Sequence, residues 1–327
     1  MTQAQLRGEA PVAVVGAGIM GAGIAQVFAQ AGYQVRLQAR KRETLEAGLR
    51  RVRANQDELV RHELLEAAEA EAARGRITPT QDLREALAGA VFVSENIPEQ
   101  LAPKQALFAE LDRLAPPGTV LSTNTSSLPI TEVARDTAHP ERVVGFHWFN
   151  PPHLIPLVEV IRGARTGDAA FDGTYRLAQA IGKSPIRVQK DTPGFVGNRL
   201  QRALEREFFA LERNGTCSRE DLEVALKQGL GFRWSVVGPL EHADLAGVET
   251  HAATLAFLFP LLANDTTPPP LFADLVARGR LGVKSGAGVY EYGPGEAERI
   301  IARRNAMLID FIKVLTKHPP LRAPDRA

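Results

Sequence analysis

A single cysteine, Cys217, is all the thiol chemistry in this 327-residue chain. No disulfide can close within it, and one lone thiol suits a reducing compartment, so a cytoplasmic location is expected. An excess of charge of one sign is missing too: 39 Lys and Arg stand against 38 Asp and Glu, a net +1. That balance points away from nucleic acid or an anionic membrane as main partner. No apolar stretch approaches the ~20 residues of a membrane span. The first eleven residues lack the basic start and apolar run of a signal peptide. Repeats and low-complexity tracts are absent, and no set of metal ligands is expected. What the chain does have is 44% hydrophobic residues and length enough for two domains with separate cores.

Apolar runs and helical spacings divide the chain in two. Residues 12–15, 33–37, 91–94, 119–123, 142–149, 157–161 and 186–189 read as strands. Residues 19–31, 43–74 (as one helix or two), 104–115 and 171–181 read as helices between them. Such alternation predicts an α/β, Rossmann-type domain with a mostly parallel sheet covered on both faces. After Asp191 the pattern turns all-helical. Residues 195–213 form a long amphipathic helix, Asn214-Gly215 ends it, and Ser218 opens the next as a capping residue. The expected division is therefore 1–190 and 191–327, joined by Asp191-Thr192-Pro193-Gly194.

Gly16-Ala17-Gly18-Ile19-Met20-Gly21 matches G-x-G-x-x-G between a predicted strand and a predicted helix, the context in which that pattern carries a mechanism. Gly16 allows the tight turn, Gly18 lets the backbone approach a pyrophosphate, and Gly21 lets helix pack on strand. The helix N-terminus, with Ile19 and Met20, offers free N–H groups to the anion. The acid expected about 20 residues later, on the adenosine ribose, is missing: Ala39 takes its place, followed by Arg40-Lys41-Arg42. Two readings of this basic run stand open. It attracts a 2′-phosphate, so that NADP is accepted beside NAD, or it is a solvated charge run at a helix start.

Two later segments carry candidate chemistry. Asn124, Ser126 and Ser127 follow a predicted strand, and ligands of open α/β sheets bind at such carboxyl ends. His147 and Glu159 lie on two strands joined by the turn Pro151-Pro152. A carboxylate beside an imidazole fixes its tautomer and favours the imidazolium formed when it takes a proton. On spacing alone His147 is more often a satisfied core histidine.

Taken together, G-x-G-x-x-G, Asn124-Thr125-Ser126-Ser127-Leu128, Phe146-His147-Trp148-Phe149-Asn150-Pro151, Leu157-Val158-Glu159-Val160-Ile161, the run from Asp191 to Leu200 and the run from Gly282 to Tyr290 resemble the 3-hydroxyacyl-CoA dehydrogenase family over nearly the whole chain. The resemblance implies a Rossmann-type domain followed by a helical one that makes a homodimer. It implies His147 as general acid/base, Glu159 as its orienting partner, Ser126 and Asn198 on the substrate's 3-oxygen, and Asn150 as a further polar contact. It also places Glu99, Lys104 and Asn124 near the cofactor.

The substrate stays open between three readings. Phe146–Asn150 and the Lys-Ser-Gly-Ala-Gly-Val-Tyr phrase follow the enzymes of short-chain L-3-hydroxyacyl-CoA. Arg50, Arg51, Arg53, Arg61, Arg74 and Arg76 supply charge where those enzymes clasp the CoA nucleotide, although Glu58, Glu63, Glu66, Glu69 and Glu71 balance them as on any solvated helix. Gly229-Leu230-Gly231-Phe232-Arg233-Trp234 resembles instead the lambda-crystallin (L-gulonate 3-dehydrogenase) and carnitine dehydrogenase branches. Arg233 then pairs with a free carboxylate, or simply holds a helix end. The third reading, a crystallin-like structural protein without activity, runs against the retention of Ser126, His147, Glu159 and Asn198.

Overall fold

The structure, a computed structural model, describes residues 10–318; most of the stretch read for a signal peptide lies outside them. Contacts divide the chain into two compact units, one ending at Asn198 and the other starting at Arg199. The sequence reading put the division at 190. The segment between is tied to the first unit: Asp191 Oδ2 accepts from the Thr131 N–H at 2.7 Å, and Glu159 accepts from the N–H groups of Val196 and Gly197.

The first unit is built on eight strands: β1 (Val12–Val15), β2 (Val35–Gln38), β3 (Ile77–Thr80), β4 (Phe92–Glu95), β5 (Val120–Thr123), β6 (Val143–Trp148), β7 (Leu157–Ile161) and β8 (Ser184–Val188). They lie in the order β3-β2-β1-β4-β5-β6-β7-β8, all parallel except the β6–β7 pair. β1, β4 and β5 are buried along their length; β1 accordingly reads as a continuous apolar run, while β4 and β5 end in the buried polar pairs Ser94-Glu95 and Ser122-Thr123. Their side chains alternate between two cores. Val12 and Val14 join Phe28, Phe92, Phe146 and Phe171 on one face, and Ala13 and Val15 join Phe108, Leu111 and Leu121 on the other. Phe92 and Phe146 meet edge to face at 5.8 Å; truncating one such buried ring to alanine costs about 3–5 kcal/mol.

Helices α1 (Ile19–Gln30), α2 (Arg42–Arg61), α3 (Ala67–Gly75), α4 (Leu83–Leu87), α5 (Leu101–Leu114), α6 (Ile130–Val133) and α7 (Asp168–Ala180) connect the strands. The long charged stretch is two helices, broken where Glu63 takes a φ of 56° and restarted by the Glu66/Glu69 capping box. The Arg charges proposed for a nucleotide clasp are partly spent within this hairpin and on α1. Arg74 bonds Asp57 and Gln56, and Arg76 bonds the Ala29 carbonyl. β3, which contains Pro79, is not among the expected strands; it is an edge strand, where a missing N–H is tolerated.

The second unit is helical among the described residues. α8 (Gly197–Arg213) leads into it, and α9 (Arg219–Val224) follows, capped as expected by Ser218 Oγ, which accepts from the Asp221 N–H at 3.1 Å. Arg233 stands exposed on the three-residue helix Phe232–Trp234 of this unit. No helix among the described residues is long and apolar enough to cross a membrane.

Candidate active site

β1 and β4 are neighbours at the point where the chain, having built β2 and β3 on one side, crosses to build the other. That crevice is where open α/β sheets bind ligands. The glycine-rich turn sits there, directly after β1. Gly16 has φ +100°, and a Cβ on it would stand 2.6 Å from the Asn96 carbonyl oxygen. A Cβ on Gly21 would stand 1.7 Å from the Gly16 carbonyl oxygen. A Cβ on Gly18 would meet nothing within 4 Å, so this side of the backbone is open at the α1 N-terminus, where a phosphate would sit. The turn thus fits a dinucleotide. At the far end of β2, Ala39 is buried, Arg40 and Lys41 are exposed, and Arg42 pairs with Glu46 at 3.0 Å.

The antiparallel β6–β7 pair sets His147 directly opposite Glu159. Both are buried, and His147 Nδ1 lies 2.6 Å from Glu159 Oε2. A carboxylate only accepts, so Nδ1 carries the proton and Nε2 is left as an acceptor. At 3.2 Å from Nε2 lies Ser126 Oγ, which donates to it. The other oxygen of Glu159 accepts from the Val196 and Gly197 N–H groups at 3.0 and 2.9 Å, at the start of α8. Burial pushes the Glu159 carboxyl up; the hydrogen bonds from His147, Gly197 and Val196 and the attraction of His147 outweigh it and hold it below the usual range. The chain reaches this position through Gly194 and Phe195, the latter a buried phenylalanine with φ 49°. Such left-handed backbone at a bulky residue is strained and is kept where the surroundings demand it. A Cβ on Gly197 would stand 2.6 Å from Phe149, whose ring packs 4.7 Å from that of His147.

These groups open onto a cleft of about 400 Å³. Its apolar wall is Ile19, Met20, Trp148 and Phe149, and its polar wall is Asn124, Ser126, His147, Asn150 and Asn198. The end of the glycine-rich turn and the His–Glu pair therefore share one cavity. Asn198 Nδ2 donates to the Ser126 carbonyl at 3.0 Å, and Asn124 Oδ1 accepts from the Trp148 N–H at 2.8 Å. Glu99 turns to the segment after β5. Its Oε1 accepts from Thr125 Oγ1, Ser127 Oγ and the N–H groups of Ser126 and Ser127. Burial raises the Glu99 carboxyl, but these bonds and the Lys104 charge bring it below its ordinary value.

Of the expected site residues in the first unit, Ile19, Met20, Asn124, Ser126, His147, Asn150 and Asn198 line this cleft, whereas Gly16, Gly18, Gly21, Arg40, Glu99, Lys104 and Glu159 do not. Lys104 is buried, with its ammonium 2.7 and 2.9 Å from the two oxygens of Glu95. The sequence reading missed Glu95, and it missed Lys183, whose buried ammonium donates to the Pro152 and Ile155 carbonyls at 2.6 and 2.8 Å and so clamps the turn between β6 and β7. Burial pulls this lysine down to about 8. Neither role has a local signal: Glu95 and Lys104 stand on a strand and on the helix after it, and the carbonyls that hold Lys183 come from the turn before β7.

The comparisons agree with this geometry. Residues 11–192 match the model of the 3-hydroxyacyl-CoA dehydrogenase NAD binding domain, and residues 194–292 that of the family's C-terminal domain. A 5-formyl-3-hydroxy-2-methylpyridine 4-carboxylate 5-dehydrogenase of Mesorhizobium japonicum is 34% identical over 307 residues, covering 93% of this chain and 97% of the relative. A probable 3-hydroxybutyryl-CoA dehydrogenase of Bacillus subtilis is 38% identical over 282 residues, 86% of this chain and 96% of the relative. A crystal structure of a 5-formyl-3-hydroxy-2-methylpyridine 4-carboxylic acid 5-dehydrogenase, described as an NAD+-dependent dismutase, matches with a TM-score of 0.86 at 32% identity, covering 94% of this chain and 98% of that one. With a nucleotide-binding turn and a paired His–Glu sharing one cleft, and both domain models matched in order, the chain belongs to the 3-hydroxyacyl-CoA dehydrogenase family, oxidoreductases that act on a CH–OH group.

Proposed function

We propose that the protein oxidises the 3-hydroxyl of a short-chain L-3-hydroxyacyl thioester with NAD, and catalyses the reverse reduction. The observation that carries this reading is the register of β6 against β7, which pairs His147 with Glu159 and leaves Nε2 open to the cleft beside Ser126. When bound, the nicotinamide supplies the hydride acceptor; Gly16, Gly18 and Gly21 would hold its pyrophosphate. The chain's own residues handle the proton. The substrate hydroxyl would take the Nε2 acceptor that Ser126 Oγ fills here, and Ser126 Oγ would turn to that hydroxyl oxygen. His147 Nε2 removes the hydroxyl proton, and Glu159, kept ionised by its N–H partners, stabilises the resulting imidazolium. In reverse, the same Nε2–H returns the proton to the oxygen. Ser126 and Asn198 hold that oxygen in both directions.

A second reading, a free hydroxy acid as substrate with Arg233 on its carboxylate, draws on the fit over almost the whole chain to a dehydrogenase of a pyridine carboxylate. On the cofactor, the buried Ala39 and the exposed Arg40 and Lys41, which have no ion-pair partner among the described residues, support acceptance of NADP beside NAD. We also infer a homodimer formed through the helical unit, whose apolar residues are largely exposed, and a cytoplasmic location, in keeping with the single cysteine. The test is kcat/KM for acetoacetyl-CoA against L-gulonate and L-carnitine, each with both cofactors. Preference for the free acids, abolished by Arg233→Met, overturns the thioester reading; no turnover of any substrate returns the structural-protein alternative. A strong preference for the unphosphorylated cofactor sinks the NADP proposal.

A further inference from the structure

The chain leaves β6 at Trp148 and enters β7 at Leu157. In the turn between them, Pro151, Pro152 and Pro156 have no N–H to give. Leu154 and Ile155 both donate to the Pro151 carbonyl. Such a turn is short of donors, and its buried carbonyls need them from elsewhere. Lys183, between α7 and β8, supplies two of them. Its ammonium donates to the Pro152 carbonyl at 2.6 Å and to the Ile155 carbonyl at 2.8 Å. The Trp148 ring lies 5.2 Å from the same nitrogen. Among the described residues no carboxylate pairs with this ammonium. A buried ammonium without an acid carries a desolvation cost that an apolar side chain of similar length does not, so stability is weak grounds for a lysine here.

The turn carries Asn150, which lines the cleft. His147 and Glu159 lie inside the β6–β7 ladder, whose pairs run from Gly145–Ile161 to Trp148–Val158. Asn150 lies two residues beyond the last of these pairs, so the ladder does not fix it. Its turn is held from two sides instead. On the α1 side, Pro152 packs so closely on Gly23 that a Cβ there would stand 2.5 Å from Pro152 Cγ. On the β8 side, Lys183 holds the Pro152 and Ile155 carbonyls, and the Ser184 N–H donates to the Pro156 carbonyl at 2.9 Å.

We propose that Lys183 is a positioning residue: from the start of β8 it holds the β6–β7 turn and so keeps Asn150 on the cleft wall, in contact with the bound ligands. The inference rests on the reading above, in which NAD and a thioester share that cleft.

The experiment is a cycle on the full-length protein: parent, Lys183→Met, Asn150→Ala and the double variant. Methionine is flexible and close to lysine in length, and it donates nothing. The readouts are the NADH dissociation constant from fluorescence titration without substrate, KM for acetoacetyl-CoA, and kcat at saturating NADH. Asn150→Ala should raise the dissociation constant, KM or both by about three- to tenfold, as expected for one hydrogen bond. Lys183→Met should raise the same constant by a similar factor, with kcat within about twofold, because the His147–Glu159 pair stays in its ladder. In the double variant the two losses should not multiply, since one acts through the other. Losses that multiply would overturn the proposal. A lowered Tm with both constants unchanged would overturn it too, leaving Lys183 a purely structural clamp. A fall in kcat alone would overturn it in favour of the His147–Glu159 pair, and a silent Asn150→Ala would do so by removing Asn150 from the ligands. A parent that binds NADH but does not turn over acetoacetyl-CoA fails the thioester reading instead, and the NADH titrations alone then decide the role of Lys183. Should Lys183→Met fail to fold, Lys183→Gln, which keeps a neutral donor on a shorter stem, takes its place in the cycle.

Discussion

The two units of this chain treat their large apolar residues in opposite ways. In the first, Phe28, Phe92, Phe108 and Phe146 are fully buried on the two faces of the sheet. In the second, Leu240 is 82%, Phe232 75% and Phe257 68% exposed, and Leu245, Phe259, Leu261 and Met307 are exposed as well. A sheet covered by helices closes its own core. Short helices that leave this much apolar surface in water do not, and patches of that kind mark association surfaces in soluble proteins. Chemistry and association should therefore separate by unit, and the largest expected effect tests the first half of that statement. His147→Gln removes the general acid/base, for which kcat should fall by about 10²–10⁴, while NADH affinity and association state are unchanged. Activity within tenfold of the parent would take the proton from His147.

Within the first unit the glycines of one turn divide between folding and binding. Gly21→Ala sets a Cβ 1.7 Å from a backbone oxygen that cannot move aside, so the loss should be at least the ~1–3 kcal/mol of overpacking, read as a lowered Tm, with cofactor binding lost as well. Gly18→Ala meets nothing within 4 Å, and its Tm should match the parent. Only its NADH dissociation constant should rise. Equal Tm losses would mean that Gly18 serves packing as Gly21 does. In the second unit the matching experiment is Phe257→Asp, combined with Leu240→Asp. Interface hot spots cost ~2 kcal/mol or more on truncation, so for the homodimer proposed above sedimentation should move toward monomer, with the tertiary signal of the first unit intact. An unchanged sedimentation coefficient would leave those side chains outside any interface.

The same comparison explains what was legible in the sequence. The first unit follows rules of short range. β1 ends at Gly16, α1 stops before Gly32, and a strand, a turn and a strand put His147 and Glu159 in register. Resemblance added Ser126 and Asn198, which no spacing would have joined. What stayed hidden depends on packing between elements or on an edge. Glu95 and Lys104 are read singly as a charged strand end and a charged helix, and only packing makes them a buried pair. Lys183 looks like a solvated lysine until the carbonyls of Pro152 and Ile155 close on it. β3 hides behind Pro79, which an edge strand accepts. α5 begins at Leu101 rather than Lys104 because Pro103 falls in the first turn, where a missing N–H costs no helical bond. The break at 190 follows composition, whereas the contacts run on to Asn198 because Glu159 holds the start of α8.

Acid should separate the units once more, with a smaller effect. Glu159 and Asp112 both lie below their ordinary values of 4.5 and 3.8. For Asp112, burial pushes upward, and the Arg142 guanidinium with the N–H groups of Ala138 and His139 outweighs it. A carboxyl lowered in the folded state contributes stability that is full above its unfolded pKa and is lost as pH falls through the folded one. The first unit should therefore hold its near-ultraviolet circular dichroism down to about the ordinary carboxyl range and lose it on further acidification, below 4.5 for the Glu159 share and below 3.8 for that of Asp112. Both groups are buried, so added salt should shift this transition little. In the second unit Asp265 is lowered by the hydrogen bond from Arg213, a pair at the surface, and salt should screen it. Asp265→Asn should leave the acid transition in place and remove only a salt-sensitive increment. A transition that moves with Asp265→Asn, and not with Asp112→Asn, would reverse the assignment of acid sensitivity to the sheet unit.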